Sequence, residues 1–391
     1  MISSHPNLNN PASASLAAMV LAAGASSRMG VLKPLLRLAG VTALERSLGL
    51  FREAGIDDVL VVLGHRASEL RPLVEQCGAR WIENPHPDDG MYSSVAAGAR
   101  SLASSARGVF VLPADVPLVR PATIRQIAAA FLNRPSGIVY PVFGDRRGHP
   151  PLIARAILDQ AANGATGPLR TLLALHEPTA MNIPVTDEAI HLDMDTPADF
   201  DRLQALAARR EIPTPAECEA ILARERVSES VVRHARKVAE IAAKIANALA
   251  ATGLAIDPEL VRAGALLHDV AKGHANHAYV GAAAIRADGL ATVADIVAAH
   301  TTMEFANVLD ERAIVYLADK LTAGDLLVTL DERFAAAEIR FQHNAEARKA
   351  AEQRKAVAQQ IAAAIEAKLG EPLIRILRDG SDAKIPKEGR R

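Results

Sequence analysis

The sequence is poor in several features that define common classes of protein. Its two cysteines, Cys77 and Cys218, form neither a CxxC pair nor a disulfide framework, which is typical of a reducing compartment. Aromatic residues make up 3% of the chain, so we expect no stacking platform for nucleic-acid bases. The 44 basic and 45 acidic residues give a net charge of −1, which excludes a global field that would attract nucleic acid or an anionic membrane.

Long hydrophobic runs are also missing. Charged residues interrupt every apolar run well before the roughly 18 residues that a membrane span requires, and the polar first 15 residues do not have the pattern of a signal peptide. We therefore expect a cytoplasmic protein with a disordered leader over residues 1–15 and with neither nucleic-acid nor membrane partners. At 391 residues the chain is long enough for two domains.

The apolar pattern changes near residue 212. Over residues 16–210, short apolar runs alternate with segments of helical periodicity, which predicts an α/β domain of Rossmann-like type with a mostly parallel sheet. A break near Pro213 and Pro215, followed by a short helix that starts the next unit, indicates a linker over residues 211–227. Helical periodicity then predicts an all-α domain over residues 228–329. Residues 330–391 are rich in Ala, Glu, Lys and Arg and predict a helical C-terminal extension and a tail.

A glycine-bearing turn with two basic residues directly follows a predicted strand in the stretch "VLAAGASSRMGVLK". Small residues let backbone N–H groups approach a phosphate there, and Arg28 and Lys33 supply positive charge. Asp115 in "LPADVPLV" and Asp195 in "DMDTPADF" leave other strands, so a parallel sheet brings their carboxylates to the same edge. Together these residues predict a site for a nucleoside triphosphate with Mg²⁺. Taken singly, the turn is also typical of a plain β-to-α connection, and each aspartate of a helix N-cap.

These motifs, together with "NPHPDDGMYSSVAAGAR" and "GHPPLI", occur in the order found in MobA-like NTP transferases. Over residues 16–205 the chain most resembles the molybdenum-cofactor cytidylyltransferase branch. The resemblance implies transfer of CMP from CTP to a molybdopterin-type cofactor, with Mg²⁺ bound and pyrophosphate released, and a molybdoenzyme as the receiving partner. GTP and ATP stay open as alternatives to CTP, and a sugar-nucleotide pyrophosphorylase stays open as an alternative to this branch.

The same resemblance assigns roles to individual residues. Its nucleotide-binding set is Leu21, Ala22, Ala23, Gly24, Arg28, Lys33, Ser93 and Ser94. Lys33, Arg28 and Asp115 are expected to be catalytic, because positive charge offsets the negative charge that accumulates during an in-line transfer. Asp115 and Asp195 are the expected Mg²⁺ ligands. Gly148, His149 and Pro150 are assigned to the acceptor side, and His149 in this setting is also typical of a stabilised turn.

Histidines and aspartates cluster on the predicted helices of the second domain. His234 and His300 each share a helix face with apolar residues and therefore point inward. The stretch "ALLHDVAK" adds His268 and Asp269 on an apolar helix, and "VYLADKL" adds Asp319. A single inward histidine is typical of a hydrogen-bonded core residue, but burying two carboxylates without a cation is costly, and this cost favours a metal site.

The H…HD…D order of this segment resembles the HD-domain metal-dependent phosphohydrolase superfamily over residues 228–328. The residues that the resemblance assigns to a divalent metal are His234, His268, Asp269 and Asp319, with His277 and His300 as further ligands of a second ion and His274 as a weaker candidate. Asp269 and Lys272 are expected to be catalytic, Lys272 by meeting a substrate phosphate. Nitrogen and carboxylate ligands suit Mn²⁺, Fe²⁺, Ni²⁺, Co²⁺ or Zn²⁺. The same spacing also fits a regulatory module that binds a metal without catalysis.

Overall fold

The computed structural model describes residues 16–24, 31–103, 105–135, 137–163, 168–340 and 343–378, with side-chain positions described for all of these except 336–340. It divides into two compact units, of which the first ends at Arg210 and the second comprises residues 211–286 and 290–378. The predicted leader over residues 1–15, Arg28 and the predicted tail beyond residue 378 lie outside the described residues.

An eight-stranded sheet forms the centre of the first unit. The strands of this unit are β1 (Leu16–Ala22), β2 (Arg37–Leu38), β3 (Val41–Thr42), β4 (Val59–Leu63), β5 (Arg80–Glu83), β6 (Gly108–Pro113), β7 (Ile138–Phe143), β8 (Arg146–Arg147), β9 (Leu152–Ala154) and β10 (Met181–Pro184). The sheet has the order β10-β7-β9-β6-β1-β4-β5, with β8 paired to β7, while β2 and β3 form a separate pair. Strands β1, β4, β5 and β6 pair in parallel, as do β7 and β10, whereas β9 is antiparallel to β6 and β7. The predicted mostly parallel α/β sheet is confirmed.

Helices connect these strands and cover the sheet. They are α1 (Ala43–Glu53), α2 (Ala67–Gln76), α3 (Met91–Ser101), α4 (Pro121–Asn133), α5 (Arg155–Ala162), α6 (Leu169–Ala174) and α7 (Pro197–Ala207). Strands β1 and β4 are buried along their whole length, which explains their almost entirely apolar sequences because a parallel sheet is covered on both faces. Capping boxes fix the starts of α1, at Thr42 and Glu45, and of α7, at Thr196 and Asp199.

The topology brings the ends of separate strands to one edge. Strands β1 and β6 are parallel neighbours in the sheet, so the segments that follow Ala22 and Pro113 emerge side by side. Gly64, which follows β4, adds a third segment, since a Cβ atom there would lie 2.7 Å from the Ala23 carbonyl oxygen. Only glycine allows the chain to approach the end of β1 this closely.

The second unit is helical, as predicted. Its helices are α8 (Pro215–Arg224), α9 (Glu229–Ala251), α10 (Pro258–Leu267), α11 (His277–Ala287), α12 (Ala291–Ala299), α13 (Glu311–Lys320), α14 (Leu330–Arg340), α15 (Ala345–Leu369) and α16 (Leu373–Leu377). Apolar residues of α9, α10, α12 and α13 form its core. A hairpin of two-residue strands, β11 (Thr322–Ala323) and β12 (Leu326–Leu327), is an addition to the all-α prediction.

Residues 211–227 are more ordered than the predicted linker, and this expectation is corrected. Pro215 stands in the first turn of α8, where its missing N–H costs nothing, and the helix buries Cys218, Ile221 and Leu222 in the core of the second unit. The prolines therefore mark the start of a packed helix. The predicted extension is also part of this unit, because α15 and α16 contribute buried apolar residues to the same core.

A buried carboxylate joins three segments of the first unit. Asp187 accepts hydrogen bonds from the Arg120 backbone N–H at 2.7 Å and from the Thr123 hydroxyl at 2.8 Å, and it pairs with the Arg210 guanidinium. Burial alone raises the pKa of Asp187, but the charges of Arg210 and Arg120 outweigh burial and hold this pKa below its usual value. Asp187 is therefore ionised in the folded protein at neutral pH.

We expect Asp187→Ala to lower the free energy of unfolding of the first unit by about 3–5 kcal/mol, because it leaves two guanidiniums without their carboxylate. Urea unfolding followed by the fluorescence of Trp81, the single tryptophan of the chain, measures this unit. The matched control is Asp159→Ala, which removes a partly exposed carboxylate paired with Arg155 at 2.7 Å and should cost less than about 1 kcal/mol. The pKa of Asp187 is lower in the folded protein than in the unfolded chain, where it is about 3.9. The contribution of Asp187 to the free energy of unfolding is therefore present above this value and is lost as the pH falls towards the pKa in the folded protein. Equal losses in both variants would contradict the prediction.

Candidate functional site

In the first unit, the Lys33 ammonium lies between two carboxylates. Lys33 begins a short 3₁₀ helix, Lys33–Leu35, and is the only lysine among residues 1–210 of the sequence. Its Nζ donates to Asp195 Oδ1 at 2.6 Å and to Asp115 Oδ2 at 3.3 Å. The structure therefore brings together three residues that the sequence analysis assigned to one site.

The electrostatics of this cluster favour a cation. Burial lowers the pKa of Lys33, but the hydrogen bonds and charges of Asp195 and Asp115 outweigh burial and raise this pKa, so the ammonium stays charged. Burial raises the pKa of the neighbouring Asp193, and the charges of Asp195 and Asp115 raise it further. Three carboxylates thus meet near one ammonium. Carboxylate oxygens are the ligands that Mg²⁺ prefers, so the donor set fits this ion.

A cavity of about 300 Å³ opens beside Lys33 and Asp115. Its other lining residues are Leu21, Ala22, Ala23, Gly24, Pro34, Pro87, Gly90, Met91, Ser94, Pro113 and Ala114. Apart from Ser93 and from Arg28, which lies outside the described residues, every residue of the predicted nucleotide-binding set lines this cavity. Lys33 and Asp115 supply the charged groups of the lining.

Ser93 faces a different cavity, of about 640 Å³. Its hydroxyl lies 2.8 Å from the carbonyl oxygens of His86 and Gly90 and accepts from the side-chain amide of Asn84 at 2.8 Å. The same amide donates to Ser94 Oγ at 3.1 Å. Asn84, which the sequence analysis missed, is therefore the buried residue that orients both serines. The available signal was a polar residue directly after the run "RWIE".

Gly148 donates its N–H to the Pro141 carbonyl of β7 at 2.9 Å, and Gly148, His149 and Pro150 are not among the residues that line the 300 Å³ cavity. A Cβ atom on Gly148 would lie 2.5 Å from the Ile190 carbonyl oxygen, which also accepts the His149 N–H at 2.8 Å. Burial lowers the pKa of His149, against the opposing charge of Asp115, so the imidazole is neutral at pH 7. Its buried Nδ1 has no hydrogen-bond partner among the described residues.

In the second unit, four histidines and two aspartates converge. Asp319 Oδ1 lies 3.1 Å from His234 Nε2 and 3.7 Å from His268 Nε2. Asp269 Oδ1 lies 3.3 Å from the Nε2 atoms of both His277 and His300. The other oxygen of Asp269, Oδ2, lies 3.5 Å from His268 Nε2. Helices α9 and α13 carry His234 and Asp319, α10 and α12 end directly before His268 and His300, and α11 begins at His277. All six metal-ligand candidates thus form one cluster, whereas His274 is exposed and outside it.

Backbone carbonyls fix the protonation of three of these histidines. The Nδ1 atoms of His234, His268 and His300 lie 2.6 to 2.7 Å from the carbonyl oxygens of Gly324, Ala265 and Val297, respectively. A carbonyl only accepts, so each Nδ1 carries a proton, and each Nε2 faces the cluster, where it offers a lone pair to a cation when the ring is neutral. Two buried atoms, His268 Nε2 and Asp269 Oδ1, make no hydrogen bond of good geometry among the described residues. These orphaned acceptors fit a bound cation.

The charge states are also those of metal ligands. Burial lowers the pKa of His268 to about 4, so its imidazole is neutral at pH 7. Burial alone raises the pKa of Asp269, but the neighbouring His277 and His300 imidazoles outweigh burial and hold this pKa well below its usual range. The neutral His268 imidazole and the ionised Asp269 carboxylate are in the forms that a divalent ion requires of its ligands. Burial lowers the pKa of His234, but its hydrogen bond with Asp319 outweighs burial and raises this pKa, so a metal ion competes with a proton at His234. Two sets of three residues could each hold a metal ion, and both contain Asp269. The first set adds His234 and His268, and the second adds His277 and His300. Within each set, the ligand atoms lie within 4.8 Å of one another. This geometry fits one ion or two.

Two lysines adjoin the cluster. The predicted Lys272 places Nζ 2.9 Å from Asp269 Oδ2 and is half exposed. Lys320, which the sequence analysis missed, is buried and donates to Asp319 Oδ2 at 2.6 Å and to the His300 carbonyl at 2.7 Å. Burial raises the pKa of Asp319, but the Lys320 charge and the hydrogen bond from His234 outweigh burial and lower it. Lys320 therefore helps to keep this carboxylate ionised.

The two units define a protein that joins an α/β domain, with Lys33 and its carboxylates beside a cavity, to a helical domain with a histidine–aspartate cluster. Comparison with protein-family models agrees with both parts. Residues 18–180 match the MobA-like NTP transferase domain and residues 231–324 match the HD domain, so the chain carries both, and the predicted fusion is confirmed.

Two relatives match part of the chain. It is 31% identical to the bifunctional protein GlmU of Geobacter sulfurreducens over 144 residues, which is 36% of this chain and 30% of that protein. It is 41% identical to the bifunctional IPC transferase and DIPP synthase of Rubrobacter xylanophilus over 91 residues, which is 22% of this chain and 21% of that protein. Each match thus spans less than a third of the relative. A solved nucleotidyl transferase from Methanothermobacter thermautotroptrophicus aligns over 50% of this chain and 99% of its own, with 25% identity and a TM-score of 0.45.

Among the described helices, none combines the length and apolar character needed to cross a membrane.

Metal content tests the histidine–aspartate cluster directly. We expect His268→Ala to retain at least about tenfold less Mn²⁺ per chain than the wild type after gel filtration, because it removes a pre-oriented neutral ligand. Mass spectrometry of the metal in the eluted protein gives the ratio. The matched control is the exposed His274→Ala, which should retain the wild-type amount. Equal metal contents in the two variants would contradict the assignment.

Proposed function

We propose that the first unit transfers a nucleotidyl group from a nucleoside triphosphate to a phosphorylated acceptor and releases pyrophosphate. The observation that carries the proposal is the convergence of Lys33, Asp115 and Asp195 beside the cavity lined by residues 21–24. An acceptor oxygen forms a bond to the α-phosphorus, and the bond between this phosphorus and the bridging oxygen of the β-phosphate breaks.

The residues of this site match the charge changes of such a transfer. Lys33 offers a charged ammonium to the phosphates, and its single positive charge offsets the charge that develops on the departing pyrophosphate. The chain at residues 21–24 gives the cavity a wall of small side chains that the nucleotide can approach. Asp115 and Asp195 are the residues that would hold Mg²⁺, which, when bound, neutralises phosphate charge.

For the substrates, we propose CTP and a molybdopterin-type cofactor, with a molybdoenzyme receiving the product. The support is the sequence resemblance of "GMYSSV", "GHPPLI" and "DMDTPADF" to the cytidylyltransferase branch. A sugar-nucleotide pyrophosphorylase is the alternative, with the same transfer chemistry.

We expect Lys33→Ala to lower kcat/KM for pyrophosphate release by about 10²–10³-fold, since it removes the cation that offsets transition-state charge. The assay offers CTP, GTP or ATP with Mg²⁺ and either molybdopterin cofactor or a sugar 1-phosphate. The control is Arg71→Ala, which removes an exposed cation paired with Glu75 on α2 and should leave the rate unchanged. Absence of pyrophosphate release with every combination would overturn the transferase proposal, and release with the sugar phosphate alone would favour the alternative.

We propose that the second unit is a metal-dependent phosphohydrolase. The carrying observation is the cluster of four histidines around Asp269 and Asp319, three of which are oriented by backbone carbonyls. Divalent ions held by these residues, such as Mn²⁺, Fe²⁺, Ni²⁺, Co²⁺ or Zn²⁺, supply Lewis acidity and an acidic water when bound. Lys272, half exposed beside Asp269, is placed to contact a substrate phosphate. A water oxygen then replaces the leaving oxygen at phosphorus.

We expect Asp269→Ala to abolish Mn²⁺-dependent phosphate release from a panel of phosphomonoesters, phosphodiesters and nucleotides, because Asp269 belongs to both donor sets. Phosphate release is measured with purified full-length protein, and the control is again His274→Ala. If the wild type and Asp269→Ala behave alike, the catalytic proposal fails, and a regulatory module that binds metal becomes the better account of this unit.

A further inference from the structure

Two helices beyond the HD-domain match form a wall of the metal cavity. The cavity measures about 480 Å³ and contains the histidine–aspartate cluster. The family match ends at residue 324, yet four of the lining residues follow it, namely Arg333 and Phe334 on α14 and Ala351 and Arg354 on α15. The predicted C-terminal extension therefore contributes side chains to this cavity.

The start of α14 fixes where its arginine lies. Thr329 and Glu332 exchange hydrogen bonds of 2.8 to 3.2 Å between their side chains and backbone N–H groups, which is the pattern of a capping box. Arg333 follows at once, and Phe334 is buried beside it. On α15, Arg354 Nε donates to the Ala350 carbonyl at 2.9 Å, and the Arg354 carbonyl accepts from the Tyr316 hydroxyl at 3.3 Å. Both arginines are thus held by the fold.

The two guanidiniums bring positive charge that no carboxylate of the described residues matches. Among the described residues, neither Arg333 nor Arg354 forms an ion pair. The two lysines of the cavity are already paired, Lys272 with Asp269 and Lys320 with Asp319. The other titratable groups that line the cavity are His234, His277 and His300. Arginine is the residue suited to bidentate contact with phosphate oxygens, so this wall is built for an anion.

We propose that the α14–α15 wall is a polyphosphate subsite, which makes the second unit prefer substrates with at least two adjacent phosphates, such as a nucleoside di- or triphosphate. The proposal rests on the proposed phosphohydrolase function. The phosphate that reacts lies at the metal cluster beside Lys272, and the next phosphates along the chain meet Arg333 and Arg354. Phe334 and Ala351 give the same wall an apolar surface for the organic part of the substrate. A phosphomonoester has no group for these arginines.

Calorimetric titration with inorganic tripolyphosphate and with orthophosphate tests the subsite without metal or turnover. All variants carry Lys33→Ala, which weakens the triphosphate site of the first unit, and EDTA keeps the protein metal-free. We expect Arg333→Gln and Arg354→Gln each to weaken tripolyphosphate binding by about tenfold or more, because each removes charge-assisted hydrogen bonds. Orthophosphate binding should change little. The matched control is Arg348→Gln, an exposed arginine on α15 outside the cavity lining, and it should bind like the parent.

Each outcome decides the proposal. Unchanged tripolyphosphate affinity in both arginine variants, or no binding by the parent, overturns the subsite but leaves the phosphohydrolase proposal to the Asp269→Ala assay. If Arg354→Gln unfolds because it loses the Nε–H bond to the Ala350 carbonyl, Arg333→Gln alone decides, with Arg354→Lys as the variant that keeps the charge. In turnover assays with Mn²⁺, the subsite further requires that Arg333→Gln raise KM for a nucleoside triphosphate and leave that for p-nitrophenyl phosphate unchanged.

Discussion

A carboxylate that leaves water must regain cations or hydrogen-bond donors, because an unpaired buried charge is too costly to keep. The two units meet this demand in different ways. Asp187 has two guanidiniums, a hydroxyl and backbone N–H groups, so its pairing is complete within the chain. Asp269 is also buried, and it pairs with the half-exposed Lys272 through Oδ2, but its Oδ1 makes no hydrogen bond of good geometry among the described residues. The first arrangement stabilises a fold, and the second leaves an acceptor that fits a metal ion.

The sequence predicted the two sites because regular structure alone brings most of their residues together. Parallel strands carry their carboxyl ends to one edge, so Lys33 and Asp115 had to meet wherever the strands paired as expected. Helical periodicity placed His234 and His300 on inward faces, where a shared core brings them together. These predictions needed only local pattern and one rule of packing.

Other features depend on contacts that no local pattern encodes. Whether Ser93 or Ser94 enters the nucleotide cavity is decided by Asn84, which is nine and ten residues away in the chain. The short helix after Pro213 and Pro215 was expected within a linker, because its sequence does not show that it packs into the core of the second unit. The helices α14 and α15 were expected only as an extension rich in Ala, Glu, Lys and Arg, since their few buried apolar residues carry too weak a signal to reveal the packing.

The two proposed activities share one kind of substrate chemistry. The first unit would consume a nucleoside triphosphate and release pyrophosphate, and the arginine wall of the second unit would select anions with adjacent phosphates. A covalent tether raises the concentration of one site's product at the other by an amount set by the length of the connection, without any new contact. Coupling of this kind requires no fixed arrangement of the units. It requires only that the first unit bind or release a molecule with adjacent phosphates, which Arg333 and Arg354 would recognise. The nucleoside triphosphate and the pyrophosphate that leaves both contain adjacent phosphates.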